Sequence, residues 1–408
     1  MNTIYAGRKP RELNEQTIED VRKLIGIPVH YSPRNHNEVS SIDSFRHFAR
    51  AYGDDNPLYN DSTYATASSW GSPIAPPLYP IASGVTRPVQ RTEAESALLK
   101  SGDPLAGIGQ YMCGERWIFP KPIRGGEVLR HSETLHSADL HTSEFGGGIG
   151  ALLSRRHSWE DDAGAPFAFR FLDFWHADRE KSKNAGKNRE IDPTRYTDED
   201  LQFMETIYEA EEIRGATPRT IADVSVGDEL GPIAKGPLSV TDMIAWHVGV
   251  GWGMYGGGTS RIAFRNRRRV PKFYVRNDRG FWDSAQRCHW DDQWAQQMGH
   301  PTAYDYGVMR TSWMVHLVTD WMGDDAWIWK VSSSVRKFNY LGDAHIVSGV
   351  VQDVDADNAT VTITAQGQNQ RGEVTCDAHI TVVLPPASGG PALIPEFDPL
   401  QIPEASAP

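Results

Sequence analysis

The sequence predicts an α+β protein built from two similar halves. Each half passes from a short helical pattern and a polar loop, through a longer helical pattern, to a segment with the alternation and turn residues of antiparallel strands. The chain has 408 residues, enough for two or three domains, and its 39% hydrophobic content is ordinary for a globular protein with a real core. We therefore predict that one structural unit occurs twice.

The first half is predicted to be an N-terminal domain of residues 1–180. Residues 44–51 have helical spacing, and a polar loop follows at 53–61. A second helix is predicted around 79–87, after a stretch of small residues and prolines. From 109 to 175 the chain alternates and carries turn residues, as an antiparallel meander requires.

The region between the halves is charged and polar. Residues 178–190 have no apolar face and are predicted to be a linker, and residues 198–214 have the spacing of a mostly polar helix that bridges the halves. We assign residues 181–220 to this linker and bridging helix. A proline-rich tail without periodicity is predicted at residues 386–408.

The second half, residues 221–385, repeats the plan of the first. Residues 239–242 have a helix-start pattern, and an apolar helical face follows at 243–250. An extra segment at 253–287 precedes a predicted buried helix at 309–321. Four strands are predicted after it, at residues 327–338, 345–353, 360–366 and 373–384.

The charge balance excludes some classes of partner. With 41 basic and 53 acidic residues the net charge is −12, so sequence-independent binding to nucleic acid or to anionic lipid is not expected. The amino terminus lacks the apolar core of a secretory signal, and no uninterrupted apolar run is long enough to span a bilayer. We predict a cytoplasmic protein with neither nucleic acid nor a membrane as partner.

Metal and disulfide chemistry are not predicted. The three cysteines are odd in number and widely scattered, which fits neither a disulfide framework nor a zinc site. The histidines also lack the close spacing of a metal motif. The widely spaced pairs are His136 with His141 and His300 with His316. The sequence thus predicts no metal ion and no cofactor.

Several stretches resemble a known family. Residues 52–61, Tyr-Gly-Asp-Asp-Asn-Pro-Leu-Tyr-Asn-Asp, resemble the G-D-x-N-P-[LI]-H-x-D loop of the MaoC-like, R-specific enoyl-CoA hydratases, and residues 288–291, Cys-His-Trp-Asp, are similar to its later part. Further likeness lies in residues 119–127, 338–343 and 368–373. The resemblance to MaoC-like and fatty-acid-synthase-type dehydratases implies a double hot dog, in which each half has a long helix wrapped by a curved antiparallel sheet.

The family's reaction determines what the site must contain. Hydration of an α,β-unsaturated thioester needs a base for water, an acid for the α-carbon and a donor for the enolate oxygen. In the family loop, an Asp and the His five residues later are the acid/base pair. A backbone N–H about eighteen residues after the His, at the tip of the long helix, binds the oxyanion.

The first half keeps the Asp of this site but has neither the His nor the backbone N–H donor. Asp54 matches the family Asp, Tyr59 replaces the His, and Pro77 stands at the donor position, where it has no N–H to give. Two interpretations of Asp54 stay open, because it could brace the loop or take a direct catalytic part. We predict that this half is not the active one.

The second half keeps the imidazole and the donor. His289 matches the family His and Gly307 the donor position, but Trp252 stands where the Asp is expected. Asp283, six residues before the histidine, is the best substitute. We therefore predict Asp283 and His289 as the acid/base pair and Gly307 as the oxyanion donor. The alternative for His289 is a loop histidine that is satisfied by a carboxylate just after it.

A dense basic run lies in the extra segment of the second half. Because guanidinium forks suit phosphate oxygens, we predict that its arginines bind the phosphates of CoA. The predicted phosphate ligands are Arg265, Arg267, Arg268 and Arg269. A solvated, salt-bridged loop is the alternative. Trp252 and Tyr306 are the aromatic residues expected to bind the substrate.

Sequence and resemblance together predict a hydro-lyase that interconverts a 2-enoyl-CoA and a 3-hydroxyacyl-CoA in the second half. A bulky acyl group is expected, because 13 Trp and 14 Phe are available to line a cavity. The alternatives are a hot-dog acyl-CoA thioesterase, and a non-catalytic acyl-binding subunit that needs a partner chain. Acyl-CoA is the predicted partner, together with a second copy of the chain in a homodimer.

Overall fold

The computed structural model describes residues 12–29, 36–143, 148–178, 191, 194–251 and 260–396. In these residues the α-helices are α1 (Glu15–Arg22), α2 (Ile42–Ala51), α3 (Pro57–Asn60), α4 (Ser62–Ala67), α5 (Glu93–Lys100), α6 (Asp198–Ala210), α7 (Val240–Val250), α8 (Arg261–Arg269), α9 (Asp292–Gln297) and α10 (Gly307–Met322). Short 3-10 helices lie at Tyr79–Ala82, Ile221–Asp223, Pro271–Phe273 and Ala285–His289.

The strands of the same residues are short at the edges and long at the centre. They are β1 (Pro28–Val29), β2 (Val85–Thr86), β3 (Gly109–Ile118), β4 (Arg130–Ser143), β5 (Gly148–Glu160), β6 (Pro166–Ala177), β7 (Glu229–Lys235), β8 (Tyr274–Arg276), β9 (Trp282–Ser284), β10 (Trp327–Val335), β11 (His345–Asp355), β12 (Thr360–Asn369) and β13 (Val374–Val383).

One large sheet joins the two halves. In the part of the chain that is described, its strands run in the order β1-β4-β5-β6-β3-β10-β13-β12-β11-β7, with β2 parallel to β4 and the other neighbours antiparallel. Strands β3 and β10 pair at the centre, from Ile118 opposite Lys330 to Gly114 opposite Ser334. The sheets of the two halves are therefore continuous, and the predicted α+β class is confirmed.

In the second half the sheet wraps a long buried helix. Helix α10 packs against β7, β10, β11, β12 and β13, and nearly all of its residues are buried. Apolar side chains on several of its sides, among them Trp313, Leu317 and Val318, make it the centre of this half rather than a surface element. The predicted helix at 309–321 and the four predicted strands after it are confirmed.

The first half has no comparable helix among its described residues. The predicted helix at 79–87 is wrong, because the chain forms a 3-10 turn at Tyr79–Ala82 and then strand β2. Gly84, whose φ is 131°, and the β-branched residues of β2 both oppose a helix. Aromatic side chains fill the space, with the Tyr79 and Phe45 rings edge-on and their centroids 4.8 Å apart.

Helices α2 and α7, one from each half, pack directly on each other. Each begins at a serine whose side chain caps the helix, Ser41 for α2 and Ser239 for α7. Their contact is close at Gly249, where a Cβ atom would lie 2.5 Å from the Ala51 Cβ and 2.7 Å from the His47 carbonyl oxygen. Glycine at this position lets the two helix backbones meet.

The bridging helix α6 packs on the second half. Met204 and Ile207 are buried together against β7 and Ala344. The connection between the halves therefore packs as part of the second half.

The described part of the predicted tail also has a fixed contact, because the Ala392 amide donates to the Asp325 carbonyl oxygen at 2.7 Å.

Some predicted segments lie outside the described residues. They include linker residues 179–190 and tail residues 397–408, so the predicted domain boundaries stay predictions. Among the helices that are described, none combines the length and the apolar character that a membrane crossing requires.

The extra segment of the second half forms a small module. Its residues 260–284 form helix α8 and the antiparallel hairpin of β8 and β9. The 3-10 helix Ala285–His289 follows at once and ends at the predicted catalytic histidine. The module thus determines where the chain enters the loop that carries His289.

We predict that Gly249→Ala destabilises the protein, although alanine is normally the better helix former by about 1 kcal/mol. The added methyl group overlaps the backbone of α2, and overpacking of this kind costs about 1–3 kcal/mol. Urea denaturation measures the change in the free energy of unfolding.

Ile244→Ala is the matched control for this substitution. Ile244 lies on the same helix but is 58% exposed, so its replacement should change the free energy of unfolding by no more than about 0.5 kcal/mol. A Gly249→Ala protein that is as stable as the wild type would contradict the close contact of α2 and α7.

Candidate active site

A cavity of about 540 Å³ lies between the two halves, beside the paired strands β3 and β10. We call this pairing, where the sheets of the two halves join, the seam. The walls of the cavity come from β3, β5 and β6 of the first half, from β10 and the residues after it, and from the chain around the start of α10. Small-molecule sites in proteins have volumes of roughly 300–1,000 Å³. Three predicted site residues, His289, Tyr306 and Gly307, line this cavity.

A hydrogen bond of the His289 ring determines which nitrogen can react. His289 Nδ1 lies 2.7 Å from the carbonyl oxygen of Tyr304. Since a carbonyl only accepts, Nδ1 carries the proton and Nε2 keeps a lone pair. Burial lowers the pKa of His289 to about 4, so the ring is neutral at neutral pH. A neutral ring with a lone pair on Nε2 is suited to act as a base.

Two tyrosines hold this ring in place. The Tyr306 ring stacks on the His289 ring with centroids 3.8 Å apart, and the Tyr304 ring meets it edge-on at 4.8 Å. The Tyr306 hydroxyl lies 3.0 Å from Nε2 of His247 on helix α7. Tyr306 therefore orients the imidazole, and its predicted contact with substrate stays a proposal.

Gly307 is the first residue of the central helix. Its backbone N–H has no hydrogen-bond partner among the described residues, as expected for the first turn of a helix. The helix dipole adds a positive potential at this end. A Cβ atom on Gly307 would lie 2.8 Å from Met112 Sδ across the cavity, so the glycine keeps the helix tip open. The tip can thus donate to a negative oxygen in the cavity.

The structure does not bring Asp283, the predicted partner, to His289. Asp283 lies on β9, and its Oδ1 accepts from the Ser284 amide at 2.7 Å. Among the described residues, Asp283 makes no hydrogen bond or ion pair with His289, because the 3-10 helix after the hairpin separates them. The alternative partner Asp291 instead caps α9 by accepting from the Trp294 amide.

A different carboxyl group, which the sequence analysis missed, lies in the cavity. Asp305 is buried, and its Oδ2 accepts from the side-chain amide of Asn339 at 2.7 Å and pairs with Arg310 Nε at 3.1 Å. Burial raises its pKa to about 6, against the opposing charge of Arg310. Its position two residues before Gly307 is the one signal in the sequence that could have identified it.

Asp54, the carboxylate that the first half keeps, lies outside the residues that line the cavity. Its Oδ2 accepts from the Tyr52 hydroxyl at 3.0 Å, and its Oδ1 accepts from the Asn56 amide at 2.9 Å. The same Oδ1 lies 3.7 Å from Nε2 of His316 on α10. Asp54 thus meets an imidazole of the other half, while Tyr59, at the family His position, is buried in the core.

The surroundings of His316 make a buried polar network between the halves. His316 Nε2 lies 3.1 Å from Asp320 Oδ2, and the Lys235 ammonium lies 2.8 Å from His316 Nδ1 and 3.1 Å from the Gly53 carbonyl oxygen. Because Lys235 donates to Nδ1, the proton of the neutral ring is on Nε2, which then offers no lone pair to a cation. The network therefore fits a link between the halves better than a metal site.

The predicted phosphate-binding arginines lie on helix α8 and are not among the residues that line the cavity. Among the described residues, none of the four forms an ion pair with a carboxylate, so the salt-bridged alternative is not supported there. Arg267 packs over the Trp282 ring at 5.2 Å, and Arg268 over the Phe264 ring at 5.0 Å. Trp252, the other predicted substrate-binding aromatic residue, lies outside the described residues.

A long helix wrapped by an antiparallel sheet, occurring beside a second such sheet, defines a hot-dog protein with a cavity at the helix tip. Residues 27–169 match the family model described as FAS1-like, dehydratase domain region. This match confirms the predicted resemblance to the MaoC-like and fatty-acid-synthase-type dehydratases. A UPF0336 protein from Streptomyces avermitilis is 29% identical over 110 residues, which are 26% of this chain and 67% of that protein.

Solved structures confirm the double hot-dog fold. A MaoC-like dehydratase matches 89% of this chain and 99% of its own, with a TM-score of 0.58 and 15% identity. A putative MaoC domain protein dehydratase from Chloroflexus aurantiacus matches 88% and 94%, with a TM-score of 0.52 and 9% identity. A conserved hypothetical protein from Mycobacterium tuberculosis, described as a double hot dog, matches 88% and 96%, with a TM-score of 0.50 and 11% identity.

We predict that the His289 ring stays neutral, with its proton on Nδ1, at every pH well above 4. In protein labelled with ¹⁵N at histidine, the Nε2 resonance should be that of an unprotonated nitrogen at pH 7, and its titration midpoint should be about 4. His289→Gln removes the resonance and so assigns it. A midpoint near the ordinary value of about 6.5 would show that the ring is solvated rather than buried against Tyr304.

Proposed function

We propose that this chain is a hydratase or dehydratase that interconverts a 2-enoyl thioester and a 3-hydroxyacyl thioester in the cavity between its halves. The observation that carries the proposal is the convergence of two groups on one cavity: the His289 ring, with its lone pair on Nε2, and the amide at the tip of α10. The matching family is a dehydratase family, which supports the same reaction class.

The proposed chemistry follows from the protonation of these groups. His289 Nε2 takes a proton from water while the water oxygen adds to C3 of the enoyl thioester. Negative charge then develops on the thioester oxygen, where the Gly307 N–H donates to it. Positioned acid/base groups contribute about 10²–10⁴-fold to a rate, and one oxyanion donor about 3–4 kcal/mol.

The cavity walls support an acyl substrate with a sizeable chain. On the side of the first half they include Leu152, Leu172, Phe174 and Trp175, which lie on β5 and β6. An apolar wall stabilises a bound hydrocarbon by about 25 cal/mol for each Å² that it removes from water. We infer that the acyl chain extends from the helix tip toward these strands.

The basic helix α8 supports CoA as the carrier of the acyl group. Four arginines without carboxylate partners among the described residues form a concentrated positive surface on a chain with a net charge of −12. CoA carries a 3′-phosphate and a pyrophosphate, which such a surface binds well. We propose that Arg265, Arg267, Arg268 and Arg269 bind these phosphates outside the cavity.

One assay separates the proposed function from its alternatives. Purified chain is mixed with crotonyl-CoA and longer enoyl-CoAs, and the loss of enoyl absorbance is followed together with the release of free thiol. Loss of absorbance without thiol supports hydration. Thiol release indicates a thioesterase, and no reaction until a partner chain is added indicates a non-catalytic subunit.

We predict that His289→Ala lowers kcat for hydration by about 10²–10⁴-fold, because it removes the base. Asp54→Asn should have a far smaller effect, because Asp54 lies outside the residues that line the cavity. Circular dichroism confirms that both variants are folded. If Asp54→Asn abolished hydration and His289→Ala did not, the reaction would have been placed in the wrong half.

We predict that the double variant Arg265→Gln, Arg268→Gln raises KM for crotonyl-CoA by at least about tenfold. Each charge-assisted hydrogen bond to phosphate contributes about 1.5–3 kcal/mol, so the loss of even one of them corresponds to that change. The N-acetylcysteamine thioester of the same acyl group has no phosphates and should react as it does with the wild type.

The control for this double variant is Arg46→Gln, which removes an exposed arginine of α2 that pairs with Asp43. It should leave KM for both substrates unchanged. An equal rise in KM for the CoA and N-acetylcysteamine thioesters would contradict phosphate binding by α8.

A further inference from the structure

We propose that Asp305 is the acid of this site, the group that protonates the α-carbon of the enoyl thioester. This inference rests on the proposed hydration. It assigns to Asp305 the role that the sequence analysis gave to Asp283, which does not contact His289 in the structure.

Asp305 lies where the base and the donor converge. It directly follows Tyr304, whose carbonyl holds the His289 ring, and it precedes the helix tip at Gly307 by two residues. All three of these positions line the same cavity, together with His289. A thioester that reaches both His289 and the Gly307 amide therefore passes beside the Asp305 carboxyl.

The two oxygens of Asp305 have different surroundings. Oδ2 is held by Asn339 and Arg310, but Oδ1 is buried and has no hydrogen-bond partner among the described residues. Leaving a buried polar atom without a partner is costly, so each such atom needs an explanation, and a catalytic role is one of them. A protonated Oδ1 would be a donor with no competing acceptor in the part of the chain that the structure describes.

The other carboxyl group of the cavity wall is occupied. Asp173 lines the cavity, but both of its oxygens accept from the Arg116 guanidinium, at 2.9 and 3.2 Å. A bidentate pair of this kind engages both oxygens of the carboxylate. Asp173 thus has no unpaired oxygen, whereas Asp305 Oδ1 has no hydrogen-bond partner among the described residues.

The protonation states of the pair suit the two roles. Burial disfavours the charged form of each group, so the pKa of Asp305 rises to about 6 while the pKa of His289 falls to about 4. A proton shared by the pair therefore lies on the carboxyl group, and the imidazole stays a base. Hydration should slow as the pH rises through about 6, because the acid proton is then lost.

The reaction balances with these two groups alone. As the water oxygen bonds to C3, its proton moves to His289 Nε2, and the C2=C3 pair of electrons moves toward the thioester oxygen. That pair returns to form the C2–H bond with the proton of Asp305, which leaves a carboxylate beside Arg310. The imidazolium proton then passes through solvent to Asp305, and the net change is the addition of one water molecule.

The test removes the carboxyl group and supplies it again from solution. Asp305→Ala should lower kcat by about 10²–10⁴-fold and leave a space for a small carboxylic acid, so that added formate restores part of the rate. If Asp305 had only a structural role, formate would not restore the rate of hydration. Asp283→Ala is the matched control, and it should retain the wild-type rate with and without formate.

The outcomes distinguish this inference from the proposed function. Wild-type hydration with an equally active Asp305→Ala variant overturns the role of Asp305 and leaves the function intact. Loss of activity that formate does not restore, in a variant folded by circular dichroism, also overturns the acid role. Failure of the wild type to hydrate any enoyl-CoA removes the proposed function itself. Asp305→Asn, with nearly the same shape, should be folded, inactive and insensitive to formate.

Discussion

Strands β3 and β10 pair directly, and this pairing places the two halves relative to each other. It makes one sheet from two, and it is close enough that a Cβ atom at Gly114 would lie 2.5 Å from the Ser333 carbonyl oxygen. Because of this seam, the tip of α10 in the second half lies opposite walls that belong to the first half. The cavity therefore needs both halves, and neither half encloses it alone.

The two halves contribute different elements to the cavity. The second half holds the long helix, the oriented imidazole of His289 and the donor amide of Gly307. The first half, without such a helix in its described residues, contributes apolar strands as a wall. Its remaining carboxylate, Asp54, lies in the buried network with His316 and Lys235, which connects the halves rather than facing the cavity. In the proposed reaction, the second half would therefore supply the reacting groups and the first half a wall of the cavity.

Features that depend on residues close together in the chain could be predicted from the sequence, whereas contacts between distant elements could not. Helix α10 and the strands of the second half follow from local periodicity, and they were predicted. His289 and Gly307 were predicted from the spacing in the family loop that this chain resembles, and both line the cavity. The pairing of Asp283 with His289 was not realised, because a 3-10 helix replaced the expected loop. The meeting of Asp54 with His316 depends on packing between separate elements, for which one sequence has no spacing rule.

A crystal structure with a bound 3-hydroxyacyl-CoA would show whether one thioester meets the helix tip and the imidazole at the same time. We expect the thioester oxygen within hydrogen-bond distance, about 3 Å, of the Gly307 amide and the 3-hydroxyl at a similar distance from His289 Nε2. An acyl chain bound elsewhere, with the cavity between the halves unchanged, would rule out this arrangement.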